Sequence, residues 1–201
     1  MDILEKDGGI CYLRLFNALA HSVEIDVYIN GDLVEGSFVF GVFTEFWRIK
    51  PGVYNIIVKP KGSEESLYED LLEFLENHVY NLAVVGEDKS RNLPIKFAIL
   101  SDSLWHDTLR PNISFANLTD YEKNIDISLD NNKVVADLCF RDLSHSLEVK
   151  PKTYDISIHN DEKSLFDGKI DFEASKTYFA FVVFGDVDSV KLIVSDEFPI
   201  A

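Results

Sequence analysis

Cysteine is scarce in this chain of 201 residues: only Cys11 and Cys139 are present. They do not form a Cys-x-x-Cys pair, which removes thioredoxin-like redox chemistry and the common zinc frameworks. Both lie in apolar runs and read as buried, reduced thiols, a state compatible with a cytosol. Positive charge is also short, with 19 Lys and Arg against 35 Asp and Glu and a formal charge of −16. That field repels phosphate backbones and anionic lipid, so nucleic acid is not an expected partner and membrane insertion is not expected. The acidity reads first as a solvated surface, with cation binding or a basic partner as the sharper alternatives. No apolar run is long enough to span a bilayer, and Met1 to Asp7 has neither a basic n-region nor an apolar h-region. The expected compartment is cytoplasmic, or the cell envelope if the N-terminus has been trimmed. There is no His-x-x-x-His pair and no phosphate-cradling glycine loop, so no cofactor and no metal are expected.

What is present is a duplication. Residues 13–59 align with 113–159 without a gap: Asn17 falls on Asn117, Ile25-Asp26 on Ile125-Asp126, Phe40 on Phe140, Lys50-Pro51 on Lys150-Pro151, and Tyr54 on Tyr154. Apolar positions between these identities keep their phase. With small gaps the match continues, Tyr80 answering Tyr178 and Ser101-Asp102 answering Ser195-Asp196. A period this long is the size of a whole domain, not of a solenoid repeat. The two repeats are placed at 10–102 and 108–198.

Val23 to Asn30 alternates as a strand does, and Asn30-Gly31 marks a tight hairpin whose central residues need positive φ. Asp130-Asn131-Asn132 stands there in the second repeat and tolerates that backbone less well. Leu82 to Gly86 and Phe181 to Gly185 are the most continuously apolar stretches and read as central strands. Glu64 to Asn77 passes for a helix on propensity. Its counterpart, Leu165 to Phe172, alternates around Gly168, so Leu67 to Phe74 is read as a strand with helix as the alternative. Many short strands in units of this size predict an all-β protein of two tandem immunoglobulin-like (transthyretin-like) antiparallel β-sandwiches.

At Asn17-Ala18, Ile25-Asp26-Val27-Tyr28-Ile29-Asn30-Gly31, Phe40-Gly41 and Lys50-Pro51-Gly52-Val53-Tyr54 the chain resembles a bacterial and archaeal family, domain of unknown function 4397. Its members run Asn-Ala-Ser-Pro, Val-Asp-Val-Tyr-Val-(Asn/Asp)-Gly, Phe-Gly and Pro-Ala-Gly-Thr-Tyr. Asn117, Ile125-Asp126-Ile127 and Pro151-Lys152-Thr153-Tyr154 echo the pattern more faintly. The resemblance implies a tandem sandwich fold, an envelope or surface-layer setting, and no catalytic residues. Here Leu19-Ala20-His21 replaces the family's Ser-Pro-Asp-like turn.

The candidate residues divide into structural and functional ones. Asp26 and Asp126 are expected to accept backbone hydrogen bonds near the Asn17 turn, and Asn17 and Asn117 to bond their own backbone. Tyr54, Tyr154, Tyr80 and Tyr178 read as core aromatics whose hydroxyls reach a backbone group. Asp142 to Ser146 contains the residue types of a hydrolase triad, but alternation puts His145 opposite Ser144 and Ser146. Asp102, His106 and Asp107, and Asp186-x-Asp188, fall short of the ligand count of a calcium loop.

The functional lead is a difference between repeats. Val39, Phe43, Trp47 and Ile49 read as a core face. Phe38, Phe40, Val42 and Phe46 form the opposite strip, which becomes Leu138, Phe140, Asp142 and Ser146 in the second repeat. That strip is the expected docking surface for a protein partner or another copy. Leu104 and Trp105 are the expected interdomain contact. The chain therefore reads as a non-enzymatic binding or structural protein acting by protein–protein contact. A carbohydrate-binding module presenting Trp47 or Trp105 to a glycan is the alternative, and a hydrolase a further one.

Overall fold

The computed structural model describes residues 9–20, 24–86, 94–103, 110–119, 124–161, 163–185, 190–196 and 199. Those residues fall into two units, one within 1–105 and 199–201 and one within 106–198. All regular structure is β, and no described residue is helical. The first unit holds β1 (Cys11–Asn17), β2 (Ile25–Ile29), β3 (Asp32–Phe38), β4 (Trp47–Ile49), β5 (Gly52–Pro60), β6 (Tyr68–Phe74), β7 (His78–Val85) and β8 (Lys96–Ser103). The second holds β9 (Asn112–Asn117), β10 (Ile125–Leu129), β11 (Asn132–Leu138), β12 (Leu147–Glu148), β13 (Thr153–Asn160), β14 (Lys163–Asp171), β15 (Thr177–Phe184) and β16 (Val190–Ser195).

The sheets of the first unit run β4-β1-β7-β8 and β3-β2-β5-β6, and those of the second β12-β9-β15-β16 and β11-β10-β13-β14. Adding eight to each label of the first unit reproduces the second, so the duplication seen in the residues is a duplication of topology. Four strands face four, whereas an immunoglobulin constant domain divides seven strands four and three. Pairing is antiparallel except at β1–β7 and β9–β15, which are parallel. The apolar stretches read as central are β7 and β15, each flanked on both sides within its sheet.

Alternation builds the cores. Leu13, Leu15, Tyr80, Leu82 and Val84 of one sheet meet Ile25, Val27, Ile56, Val58, Leu72 and Phe74 of the other. Ile113, Phe115, Tyr178, Ala180 and Val182 meet Ile125, Ile127, Ile156, Ile158, Ile170 and Phe172 in the second unit. The disputed Leu- and Glu-rich segment is the strand β6, paired with β5 from Val58↔Tyr68 to Gly52↔Phe74. Tertiary pairing overrides its helix propensity because Leu72 and Phe74 complete the core on alternate positions.

Two expectations are corrected. Residues 39–46 are not a strand: β3 ends at Phe38, and Gly41 at φ 79° turns the chain into a loop held to β1 by the Phe16–Phe43 bridge. Alternation lapses there. Val39, expected inside, is 43% exposed, while Phe38, expected on the outer strip, is 2% exposed and in the core. For the same reason Cys139, just past the end of β11, is exposed, and of the two thiols only Cys11 is buried.

Candidate functional site

The residues that carry the family resemblance are used by the fold. Asn17 is fully buried, and its Nδ2 donates to Phe38 O at 2.8 Å while its Oδ1 accepts from Leu19 N at 3.0 Å. It forms the expected local turn and also ties β1 to the end of β3 in the other sheet. Asn117 repeats both bonds, to Leu138 O at 3.0 Å and from Thr119 N at 3.0 Å. Asp26 does not serve the Asn17 turn. Its carboxylate accepts from Ser37 N at 2.9 Å and Gly62 N at 3.1 Å, clamping a bulge whose Ser37 sits at φ 58°. Asp126 clamps Asp137, at φ 53°, in the same way at 2.9 Å and also pairs with Lys133. The Lys133 ammonium first, and the Asp137 amide second, hold the Asp126 carboxyl below the usual carboxylate range.

The four tyrosines do what their positions predicted. The Tyr80 and Tyr178 hydroxyls accept from Leu75 N and Glu173 N at 2.8 and 2.9 Å. Tyr54 donates to Lys50 O at 2.7 Å, and Tyr154 accepts from Lys150 N at 3.1 Å. Ser144 is equally structural. Its hydroxyl accepts from Phe115 N and donates to His145 O, both at 2.9 Å, and Thr44 makes the same two bonds in the first unit. The triad-like run is therefore a duplicated strand anchor. Among the described residues no cluster of His, Cys, Asp and Glu could hold a metal ion. His106, Asp107, Asp186 and Asp188 lie outside the described residues, as do Leu104 and Trp105.

The expected docking strip does not form one face. Phe38 is core, and Phe46 lies with its ring centre 4.5 Å from the Arg14 guanidinium. Arg14 is fully buried and donates from Nε to Asn81 Oδ1 at 2.5 Å. Phe40 is half-buried, and Val42 alone of the four is open to solvent.

A different surface is apolar and open. On the outer side of the β3-β2-β5-β6 sheet, register brings Leu33 beside Tyr28, Tyr28 beside Ile57, Ile57 beside Glu69, and Asn55 beside Leu71, with Val53 next along β5. Leu71 is 68% exposed, Val53 60% and Leu33 56%, and Tyr28 and Ile57 are half-buried between them. At ordinary strand spacing and rise the patch covers roughly 200–300 Å². The matching sheet of the second unit has the same register, with Ser128 beside Lys133 and Ser157, Ser157 beside Asp167, Asp155 beside Lys169, and Thr153 beside Asp171. Each apolar member has a polar counterpart: Leu33/Lys133, Tyr28/Ser128, Val53/Thr153, Ile57/Ser157 and Leu71/Lys169. The polar face satisfies itself, Thr153 bonding Asp171 at 3.0 Å and Lys169 pairing with Asp155 at 3.6 Å. Four of the five differences are visible in the ungapped repeat alignment. The fifth needs the β5–β6 and β13–β14 pairings, because the alignment carries gaps there.

Residues 11–107 match the model of the family described as Domain of unknown function (DUF4397), so the N-terminal copy carries that family's pattern. No curated protein matches the chain. Among solved structures, the family-26 carbohydrate-binding module of Eubacterium rectale Amy13K, solved with maltoheptaose, is 9% identical and covers 94% of this chain and 98% of its own, at a TM-score of 0.30. A proposed cell adhesion protein from Bacteroides fragilis is 10% identical, covering 97% of this chain and 99% of its own, at a TM-score of 0.24.

Proposed function

We propose that this is a non-enzymatic binding protein that contacts another protein through the outer β3-β2-β5-β6 face of its first unit, the second unit being a further copy of the same family with that face made polar. The observation that carries the reading is the five-position contrast between equivalent faces. The second unit forms the same sheet with serine, threonine and lysine at those positions, so folding does not require leucine, valine, isoleucine or tyrosine there. Fully covering one such aliphatic side chain is worth about 1.5–3 kcal/mol, which an unpartnered surface forgoes. A patch of this size surrounded by charge has the make-up of an interface core inside a polar rim.

A glycan is the weaker reading. Sugar platforms need open aromatic faces, and among the described residues every Phe, Tyr and Trp is buried or half-buried. Trp47 itself packs against the first core. Site-specific photo-crosslinking in the native host tests the proposal. A benzophenone residue at position 71 is expected to yield a protein adduct, and one at position 169 none. Adducts at both positions, or at neither, would remove the first unit's face as the binding surface.

A further inference from the structure

We infer that the occupant of this face is a basic protein segment, apolar at its centre and carrying lysine or arginine at its flanks. The inference rests on the reading of the face as a binding surface and adds the chemistry of what binds. The apolar residues are bordered by exposed Glu69 and Glu73 on β6, which register sets beside Ile57 and Val53. Among the described residues neither carboxylate has a lysine or arginine within salt-bridge distance; Glu69 accepts only from the Asn55 amide, at 2.9 Å. The nearby cations are engaged. Lys59 lies 3.8 Å from Glu64 and 5.1 Å from the centre of the Tyr28 ring, and Lys61 is held by Glu24 at 2.6 Å. The rim thus offers negative charge and no spare positive charge.

That charge balance weighs against the other occupants. A second copy docking by a two-fold would set the Glu69–Glu73 rim against itself, between chains of formal charge −16 each. An anionic bilayer would be repelled. A partner with cationic flanks gains from both the rim and the long-range field, which steers association and selects against acidic competitors. The second unit keeps carboxylates, Asp167 and Asp171, at the positions of Glu69 and Glu73, but its centre carries Lys133 and Lys169, paired with Asp126 and Asp155, and so offers no apolar centre.

The test uses the whole protein and fluorescence anisotropy of a labelled peptide, Lys-Lys-Val-Thr-Val-Thr-Val-Lys-Lys. One control peptide replaces valine by serine, and another replaces lysine by glutamate. The apolar-centred basic peptide is expected to bind at least about tenfold more tightly than either control, and to weaken steeply between about 0.05 M and 0.5 M salt. Leu33→Ser/Leu71→Ser, which leaves every charge in place, should cost tenfold or more. Glu69→Gln/Glu73→Gln should weaken binding and flatten the salt dependence. Equal binding of the serine control would reduce the effect to net charge and overturn the inference. So would tighter binding of the glutamate control, or a dimer in sedimentation velocity that Leu33→Ser/Leu71→Ser abolishes. Because these substitutions are of the kind the second unit already carries, folding is expected; Leu33→Lys/Leu71→Lys repeats the test with that unit's own residues. Crosslinking at position 71 to an acidic or neutral segment would sink the chemistry and leave the surface standing, whereas absence of crosslinking would sink the surface.

Discussion

Asn17 concentrates more structural responsibility than any polar residue predicted to be a simple turn. Its buried amide satisfies Leu19 N on one side and Phe38 O on the other. Asn17→Ala removes both of these bonds from a site closed to water, so stability should fall by about 2–4 kcal/mol. Urea unfolding measures this, and a loss below about 1 kcal/mol would show that the neighbouring backbone rearranges. Asp126 makes a pH prediction at the same scale. Its folded-state pKa is lowered by Lys133 and the Asp137 amide. The clamp's contribution is therefore complete above the unfolded value, about 3.9, and is lost as pH falls through the lowered folded value. Asp126→Asn should shrink the stability difference between pH 7 and pH 3, measured by thermal melting across that range. An unchanged acid limb would mean that other carboxylates dominate it.

At the scale of elements, the β2–β3 hairpin and its copy share a backbone but not a sequence. Asn30 and Gly31 sit at φ 52° and 90°, and Asp130 and Asn131 at φ 48° and 62°. A side chain added at Gly31 would meet nothing within 4 Å, so Gly31→Ala isolates the backbone cost of a left-handed residue, about 1 kcal/mol. The reciprocal change, Asn131→Gly, should stabilise the second unit by less than about 1 kcal/mol, since asparagine already tolerates that conformation and glycine brings its own entropy cost. Denaturant midpoints of the two variants should move in opposite directions. The same comparison explains why Arg141 can stand where Gly41 does: both have positive φ, 70° and 79°, and both amides bond back to the asparagine carbonyl, at 2.7 and 2.8 Å.

For the whole molecule, the central idea is one topology carried twice with one face altered. If the face alone confers binding, moving it should move the activity. Lys133→Leu/Ser157→Ile/Lys169→Leu rebuilds the apolar centre on the second unit, and calorimetric titration with the basic peptide should then show close to two sites per chain in place of one. A stoichiometry that stays at one would mean that the surrounding rim of the first unit, and not its centre, sets recognition.

The amino-acid sequence by itself determined the duplication, the all-β class and the hairpin, because period and register leave their trace in which positions are apolar; it left β6 between strand and helix, and pairing with β5 decided it. It also marked Asn17, Asp26, Tyr54 and Tyr80 as structural, although not that Asn17 joins two sheets or that Asp26 holds a bulge, since those partners lie 11 to 36 residues away. Only the tertiary structure decided where the open apolar surface lies. Alternation extrapolated through residues 39–46 pointed to Phe38, Phe40, Val42 and Phe46, but β3 stops at Phe38 and the left-handed Gly41 turns the chain into a loop that resets the faces. The real face draws on four strands at once, and a set of neighbours gathered across strands exists only after the sheet has formed.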